Sequence, residues 1–299
     1  MSMDRAAESV SARPSLRASL GAALRIARVQ LRLSLLLSLQ YRWDFIGQGA
    51  MQLLWLVMSA VPLLIAYKAR AAALGGDLLT TEISGWGFYP AAMVFGFFFL
   101  LKAVLDGVIN PSLVSAVDQI RKGTLDFLLL KPADAQLLVS LARVEPWHAL
   151  NGLAALIIIA VAAREHALTS GLHPSAPSLL LAVAAAALLF VAGVIVLYSL
   201  WLLVVCAAFY VVRIDNLSYL LMSLFDFARW PRAVFRGFAH VLFTYLIPLA
   251  VMTSFPVDAL LGRLGLGQAA WAAAAALGLL WLSRQVWRHS VARYTSASS

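Results

Sequence analysis

The stretch SLLLAVAAAALLFVAGVIVLYSLWLLVVCAAFYVV, residues Ser178–Val212, decides the fold. It runs for 35 residues without a charged side chain, whereas about 20 apolar residues suffice for a helix to cross the hydrocarbon core of a bilayer. At about 1.5 Å per residue it is too long for one perpendicular crossing and too short for two crossings joined by a turn. We therefore expect one long helix that tilts, protrudes into the cytoplasm or breaks near Gly193, in an all-α integral membrane protein.

The composition of the whole chain supports this class. Of 299 residues, 62% are hydrophobic and 12% are charged, and the mean hydropathy is +0.86. A soluble domain carries about 25% charged residues. The one cysteine, Cys206, excludes an intrachain disulfide. The formal net charge of +9 carries information mainly through its distribution, because Lys and Arg accumulate on the cytoplasmic side of membrane proteins.

Six stretches are long and apolar enough to be predicted as transmembrane helices. They cover residues 45–67, 86–105, 147–163, 178–212, 238–255 and 268–283. Together they predict a six-span membrane domain over residues 45–288.

The basic residues predict the orientation of these spans. The N-terminal segment, the loops 106–146 and 213–237 and the tail hold eighteen Lys and Arg residues, against four in the other three loops. An even number of spans places both termini on the same side, and this asymmetry predicts that the side is the cytoplasm.

The segment before the first span divides into two parts. Residues 1–14 are polar and predicted to be disordered, whereas residues 15–44 have an amphipathic helical pattern in which Arg17, Arg25, Arg28 and Arg32 share one arc. Such a helix lies in the plane of the membrane surface. One interpretation is that the helix is an interfacial anchor. A second interpretation is that it also forms part of a docking surface for a cytoplasmic partner. Residues 289–299 are predicted to be a cytoplasmic tail.

The predicted spans lack the groups that intramembrane chemistry uses. Their centres hold no ionisable side chain, and the five histidines have no metal-ligand spacing. The chain has neither a GxxxxGK[ST] phosphate loop nor a GxSxG elbow. We therefore predict no catalytic, metal or cofactor residues and no nucleic-acid partner, and energy for uphill transport would have to come from another protein.

One charged pair lies at the cytoplasmic end of the second span. Lys102 and Asp106 are four residues apart and share a helix face. They form either a mutually neutralising pair that reaches toward water or a contact at an inner gate.

The cytoplasmic loop after the second span contains an unusually apolar segment, GTLDFLLLKPAD, Gly123–Asp134. Gly123 interrupts an amphipathic helix, Thr124 is predicted to cap a very short helix, and Pro132 ends it. Asp134 is predicted to cap the next helix. The apolar residues between these signals require burial in the headgroup region, against their own loop or in a groove of another protein.

The chain resembles the permease subunits of bacterial type-2 ABC exporters. The resemblance rests on the basic amphipathic helix, the six spans, GTLDFLLLKPAD, and the later stretches FDFARWPRAVFRG (225–237) and YLIPLA (245–250). The most similar branch consists of permeases paired with a second permease and a separate ATPase. These proteins lie in the bacterial cytoplasmic (inner) membrane.

The resemblance implies that the loop after the second span holds a coupling helix that inserts into the ATPase. The contact residues implied are Gly123, Thr124, Leu125, Asp126, Phe127, Leu128 and Pro132. ATP and Mg²⁺ would then be bound by the partner, and two permease subunits, identical or different, would form the pathway. The resemblance also implies a re-entrant turn at the outer end of the fifth span, near Pro248 and Pro256.

Two other classes of function stay open on the residues alone. A membrane-embedded enzyme, for instance a lipid-modifying one, would need a catalytic cluster near the interface. A channel or a transporter that is not coupled to ATP would favour an ionisable group at mid-depth.

Overall fold

The computed structural model describes residues 25, 28–36, 40, 42–131, 134–171, 175–211, 215–235, 237–246 and 248–294. Within these residues the elements are helices, apart from one antiparallel hairpin that pairs β1 (Glu82–Ile83) with β2 (Trp86–Gly87). The all-α class is therefore confirmed.

The helices fall into a first and a second half along the chain. The first half contains α1 (Arg42–Leu74), α2 (Phe88–Val104), a π turn (Leu105–Ile109), α3 (Asn110–Arg121), α4 (Asp126–Leu129), α5 (Ala135–Ser140), a 3₁₀ turn (Pro146–His148) and α6 (Ala149–Thr169). The second half contains α7 (Ala176–Ala207), α8 (Asp215–Asp226), 3₁₀ turns at Phe227–Arg229 and Arg232–Val234, α9 (Phe238–Val241), a π turn (Leu242–Leu246), α10 (Leu249–Met252), α11 (Ser254–Leu260) and α12 (Leu266–Ala292).

Five helical stretches of the described residues are long and apolar enough to cross a membrane. They are Arg42–Leu74, Phe88–Arg121, Pro146–Thr169, Ala176–Ala207 and Leu266–Ala292. Each contains one of the six predicted spans or most of it, and α7 does not break at Gly193. The remaining predicted span, 238–255, is not one continuous helix. Gly237 has a φ of +58°, and Pro248 lacks the N–H that a helix interior needs, so this segment is divided into short helices.

Helices α7 and α12 lie side by side and run in the same direction. Near one end, Tyr198 of α7 and Arg284 of α12 both bond to the side chain of Gln136. Further along α12, Ser290 donates at 3.4 Å to Tyr210, which lies three residues past the end of α7. The intervening residues 208–265 must therefore return from one end of the bundle to the other.

The second long helix extends much further than predicted. The span predicted over 86–105 and the amphipathic stretch after it form one stretch, Phe88–Arg121, although Pro111 lies inside it. In an α-helix the Gly107 carbonyl would accept from the N–H at position 111, which a proline lacks. The backbone N–H of Glu145 donates to this carbonyl instead, at 2.7 Å. The freed acceptor is thus paired, and the helix continues.

The second half of the predicted cytoplasmic loop 213–237 packs into the helix bundle, and its side of the membrane stays a prediction. The Phe225 ring lies 5.1 Å from the Phe98 ring and 6.1 Å from the Trp201 ring, inside the bundle. Arg232 pairs with the buried carboxylate of Asp258 at 3.1 Å. The positive-inside count had assigned Arg229 and Arg232 to the cytoplasm. Without them the count is sixteen against four, so the predicted asymmetry persists.

The amphipathic N-terminal segment is described in part. Residues 28–36 are helical, and Arg28 and Arg32 are exposed, as are the apolar side chains of Val29 and Leu33. Gln30 donates to the carbonyl of Ala142 at 2.6 Å, so this helix touches the loop after the second long helix. Residues 1–14 and Arg17 lie outside the described residues, and the interfacial position of the helix stays a prediction.

Close helix packing depends on a few small residues. A Cβ atom on Gly96 of α2 would lie 3.2 Å from the Ala155 carbonyl oxygen of α6. A Cβ atom on Gly193 of α7 would lie 2.9 Å from the Cα atom of Met252, so α10 approaches α7 at backbone distance. Small residues permit such approach between membrane helices.

We expect Gly193→Ala to destabilise the protein because the new methyl group meets backbone atoms that cannot move aside. Overpacking of this kind costs about 1–3 kcal/mol. The matched control is Gly278→Ala in α12, where no atom lies within 4 Å of the added Cβ position and alanine favours the helix by up to about 1 kcal/mol. Thermal unfolding in detergent should show a lower midpoint for Gly193→Ala only. Equal midpoints for the two variants would contradict the close approach.

Candidate functional site

The turn after α3 is fixed by Gly123, whose φ of +68° suits glycine. The N–H of Gly123 donates to the Ile120 carbonyl at 3.3 Å, and the N–H of Thr124 donates to the Gln119 carbonyl at 3.0 Å. These two bonds define a Schellman motif, which satisfies the last carbonyls of a helix. The predicted break at Gly123 is confirmed. The role predicted for Thr124 is wrong, because Leu125 occupies the N-cap of α4 and no side chain caps that helix.

The apolar residues of α4 divide between an inner and an outer face. Leu125 is fully buried, and Leu128 and Leu129 are partly buried against the hydrophobic core of the bundle. Phe127 is 74% exposed and Leu130 is 82% exposed. Of the three burial modes predicted for this segment, packing on its own protein accounts for Leu125, and Phe127 and Leu130 are left without it.

The predicted contact residues are therefore only partly brought to one surface. Thr124 and Phe127 are exposed, whereas Leu125 is not accessible to any partner. Pro132 lies outside the described residues. Sequence analysis missed Leu130, which belongs on the exposed face because it is three residues from Phe127. We name the exposed pair Phe127 and Leu130 the apolar tip.

Behind the apolar tip, α5 is bonded to two long helices by polar side chains. Asp134 caps α5 by accepting from the Leu137 N–H at 3.3 Å, which confirms that prediction. Both nitrogens of the Arg284 fork donate to the Asp134 carboxylate, one of them at 2.9 Å. These bonds hold the pKa of Asp134 below its usual value, against the opposing effect of burial, so the pair stays ionised at neutral pH.

Gln136 and Ser140 extend this network to α7. Gln136 accepts from Arg284 at 2.6 Å and donates to the Tyr198 hydroxyl at 2.9 Å. The Ser140 hydroxyl lies 2.6 Å from the same Tyr198 oxygen. We name the five residues Asp134, Gln136, Ser140, Tyr198 and Arg284 the polar clamp.

The end of α12 packs against Phe209, which follows α7. The Phe209 ring packs edge-on against Trp287 at 5.9 Å and against Tyr294 at 5.8 Å. Burial and, after it, the charge of Asp126 raise the pKa of the Tyr294 phenol.

The predicted pair Lys102 and Asp106 forms an ion pair at 3.0 Å, with both side chains about one fifth exposed. It borders a polar cleft of about 390 Å³ beside the π turn. The lining residues are Gln52, Asp106, Asn110, Pro111, Val114, Ser115, Asp118, Arg143, Glu145 and His148. Burial raises the pKa of Glu145 above its usual value, Arg143 opposes this, and Asp106 adds to it.

The side chains that line this cleft are suited to ion pairs that could change when the helices move. Among the described residues, no group of three His, Cys, Asp or Glu side chains could hold a metal ion. Two of the cleft carboxylates have basic partners: Asp106 pairs with Lys102 at 3.0 Å, and Glu145 lies 3.4 Å from Arg143 and 3.7 Å from His148. The arrangement supports a mechanical element, and the tip on α4 is an exposed apolar surface in the loop next to it.

Residues 54–298 match a family described as ABC-2 family transporter protein, which covers more than half of the chain. The chain belongs to this family. An ABC-2 permease is the membrane component of an ABC transporter and is not itself catalytic. Comparison with curated proteins and with solved structures gave no match. The five long apolar helices agree with a multi-pass membrane permease.

We expect the Lys102–Asp106 pair of this ABC-2 permease to behave as a coupled unit. Lys102→Met leaves a mostly buried carboxylate without its partner, at a cost of about 1–3 kcal/mol, and the lower end applies because water still reaches the pair. The double variant Lys102→Met/Asp106→Asn removes both charges and should be more stable than Lys102→Met alone. Unfolding in detergent, followed by tryptophan fluorescence, measures both. Additive losses would mean that the two side chains do not interact.

Proposed function

We propose that the chain is the membrane-spanning permease subunit of an ATP-driven exporter and is moved by a separate ATPase that docks on α4. The observation that carries this proposal is the apolar tip. Phe127 and Leu130 are 74% and 82% exposed on a four-residue helix whose other apolar residues are buried or partly buried. ATP and Mg²⁺ would be bound by the partner.

The energetics favour a protein groove as the cover of this tip. Fully burying one Phe or Leu side chain is worth about 1.5–3 kcal/mol. The tip follows a stretch, Phe88–Arg121, that is about 51 Å long at 1.5 Å per residue, and a hydrocarbon core is about 30 Å thick. A tip held beyond the bilayer in this way is buried most simply by a partner in the cytoplasm.

The same proposal includes six crossings with both termini in the cytoplasm. The parallel direction of α7 and α12 supports a fifth, broken crossing within residues 208–265, because the chain has to return between them. The broken segment and its prolines suit a re-entrant turn at the outer side. The basic residues support the cytoplasmic side, and the helix at residues 28–36 supports an interfacial anchor.

The remaining partners follow from the same arrangement. Helix α1 is largely apolar and exposed, with Trp55 and Ile65 among its uncovered side chains. Such a surface suits lipid or a second permease subunit, identical or different. The proposed setting is a bacterial cytoplasmic membrane, with export as the direction of transport.

We expect Phe127→Asp/Leu130→Asp to abolish binding of the ATPase subunit, because two charges would enter an apolar groove. The measurement is co-purification of the ATPase with the tagged permease from detergent-solubilised membranes. The matched control is Val114→Asp, which places a charge on another exposed apolar position of the same cytoplasmic extension.

Two results of this experiment are informative. Membrane insertion of the double variant, with loss of the ATPase and retention by the control, supports the docking site. Retention of the ATPase by the double variant would contradict it.

We expect opposite accessibility at the two ends of the long helices. In a Cys206→Ser background, Ala73→Cys near the end of α1 should react with a membrane-impermeant maleimide in intact cells. Ala292→Cys at the end of α12 should react only after the cells are opened. Both positions are exposed, so burial does not explain a difference. Labelling of Ala292→Cys in intact cells would reverse the proposed orientation.

A further inference from the structure

The polar clamp connects the loop that carries the apolar tip to two separate long helices. Its members come from α5, α7 and α12, and Asp134 and Arg284 are 150 residues apart in sequence. Asp134, Gln136 and Ser140 of the α5 segment each bond to a side chain of one of these helices. Directional bonds fix the orientation of α5 as well as its position.

Arg284 forms hydrogen bonds with two residues of the α5 segment. Its guanidinium donates to both carboxylate oxygens of Asp134 and to the amide oxygen of Gln136. A planar fork of this kind matches a carboxylate with defined geometry, which a lysine could not reproduce. Because Asp134 and Gln136 are both in the first turn of α5, a displacement of that turn carries Arg284 and α12 with it.

Gln136 links the two long helices through one amide group. The side chain is only 7% exposed, and its oxygen faces α12 while its nitrogen faces α7. If either helix moved away alone, a buried polar atom would lose its partner, which is unfavourable. The clamp therefore favours a joint movement of α7 and α12.

The other end of the loop is bonded to the second long helix. The Ser112 hydroxyl donates to the Arg143 carbonyl at 2.7 Å, and the Glu145 N–H donates to the Gly107 carbonyl at 2.7 Å. The segment from α4 to α6 is thus attached to α3 on one side and to α7 and α12 on the other. Movement applied at the apolar tip has a bonded route to each of them.

We propose that the polar clamp transmits the movement of the docked ATPase from α4 to α7 and α12, with Asp134, Gln136, Tyr198 and Arg284 as positioning residues. This inference rests on the proposed function, because it requires a partner that moves the tip. The inference adds the residues through which movement passes from α4 to α7 and α12. It also distinguishes these residues from those that bind the ATPase. A variant of the clamp should keep the ATPase bound and lose its effect on the long helices.

The experiment uses the complex with its ATPase, reconstituted in nanodiscs, in a Cys206→Ser background. Spin labels at Leu74→Cys and Leu179→Cys report the distance between the end of α1 and the start of α7, where both side chains are exposed. Distances are measured by pulsed electron paramagnetic resonance without nucleotide and after trapping with ATP and vanadate. We expect nucleotide to shift the distance distribution of the otherwise unmodified chain.

Two variants weaken the clamp from different sides. Arg284→Met removes the fork to α5, and Tyr198→Phe removes only the hydroxyl oxygen that Gln136 and Ser140 share. Both should lose the nucleotide-dependent shift while the ATPase still co-purifies. Arg288→Met is the matched control, because this arginine is exposed one turn later in the same helix, and it should respond as the unmodified chain does.

A charge exchange separates transmission from general stability. Asp134→Arg/Arg284→Asp restores an ion pair in the reverse sense and should recover part of the shift, which a variant that is merely unstable would not do. A full shift in both Arg284→Met and Tyr198→Phe, with the ATPase bound, would overturn the transmission route. Retention of the ATPase after Phe127→Asp/Leu130→Asp would instead overturn the docking site, so the two failures are distinguishable.

Discussion

The parallel packing of α7 and α12 is the constraint on which the second half of the molecule depends. Two consecutive long helices that point the same way require the chain between them to return through the bundle. That return contains prolines and a glycine of positive φ, so it consists of short helices. The close approach of Met252 to Gly193 and the pairing of Arg232 with Asp258 then stabilise a segment whose own backbone bonds are interrupted.

The loop after the second long helix also contains a segment that depends on tertiary contacts for its stability. A helix of four residues has little stability of its own, yet α4 is held in place by a Schellman turn before it and by the fully buried Leu125 at its cap. The polar clamp then fixes the chain beyond it. The chain is thus held in place on both sides of α4, while Phe127 and Leu130 stay exposed. A docking element requires both properties.

Local signals in the sequence predicted local features well. The apolar runs predicted the five long helices, and Gly123 and Asp134 marked the turn and the next cap, because these depend on neighbouring residues. The continuation of α2 through Pro111 was not predictable, since the compensating N–H comes from Glu145, 34 residues later. The pairing of Arg232 was not predictable from the positive-inside count, because that count takes no account of a carboxylate 26 residues away. The all-round apolar pattern of α4 could not identify Leu125 as its buried residue.

The length of the helical stretch Phe88–Arg121, which includes the π turn, has a mechanical consequence. A rod of about 51 Å that pivots near the centre of a 30 Å hydrocarbon core reaches roughly 25 Å or more from its fulcrum to its cytoplasmic end. A rocking motion of about 10° would then sweep that end through some 4–5 Å, by the geometry of a helix rising 1.5 Å per residue. A small change of angle within the bilayer thereby becomes a movement of several ångströms at the cytoplasmic end.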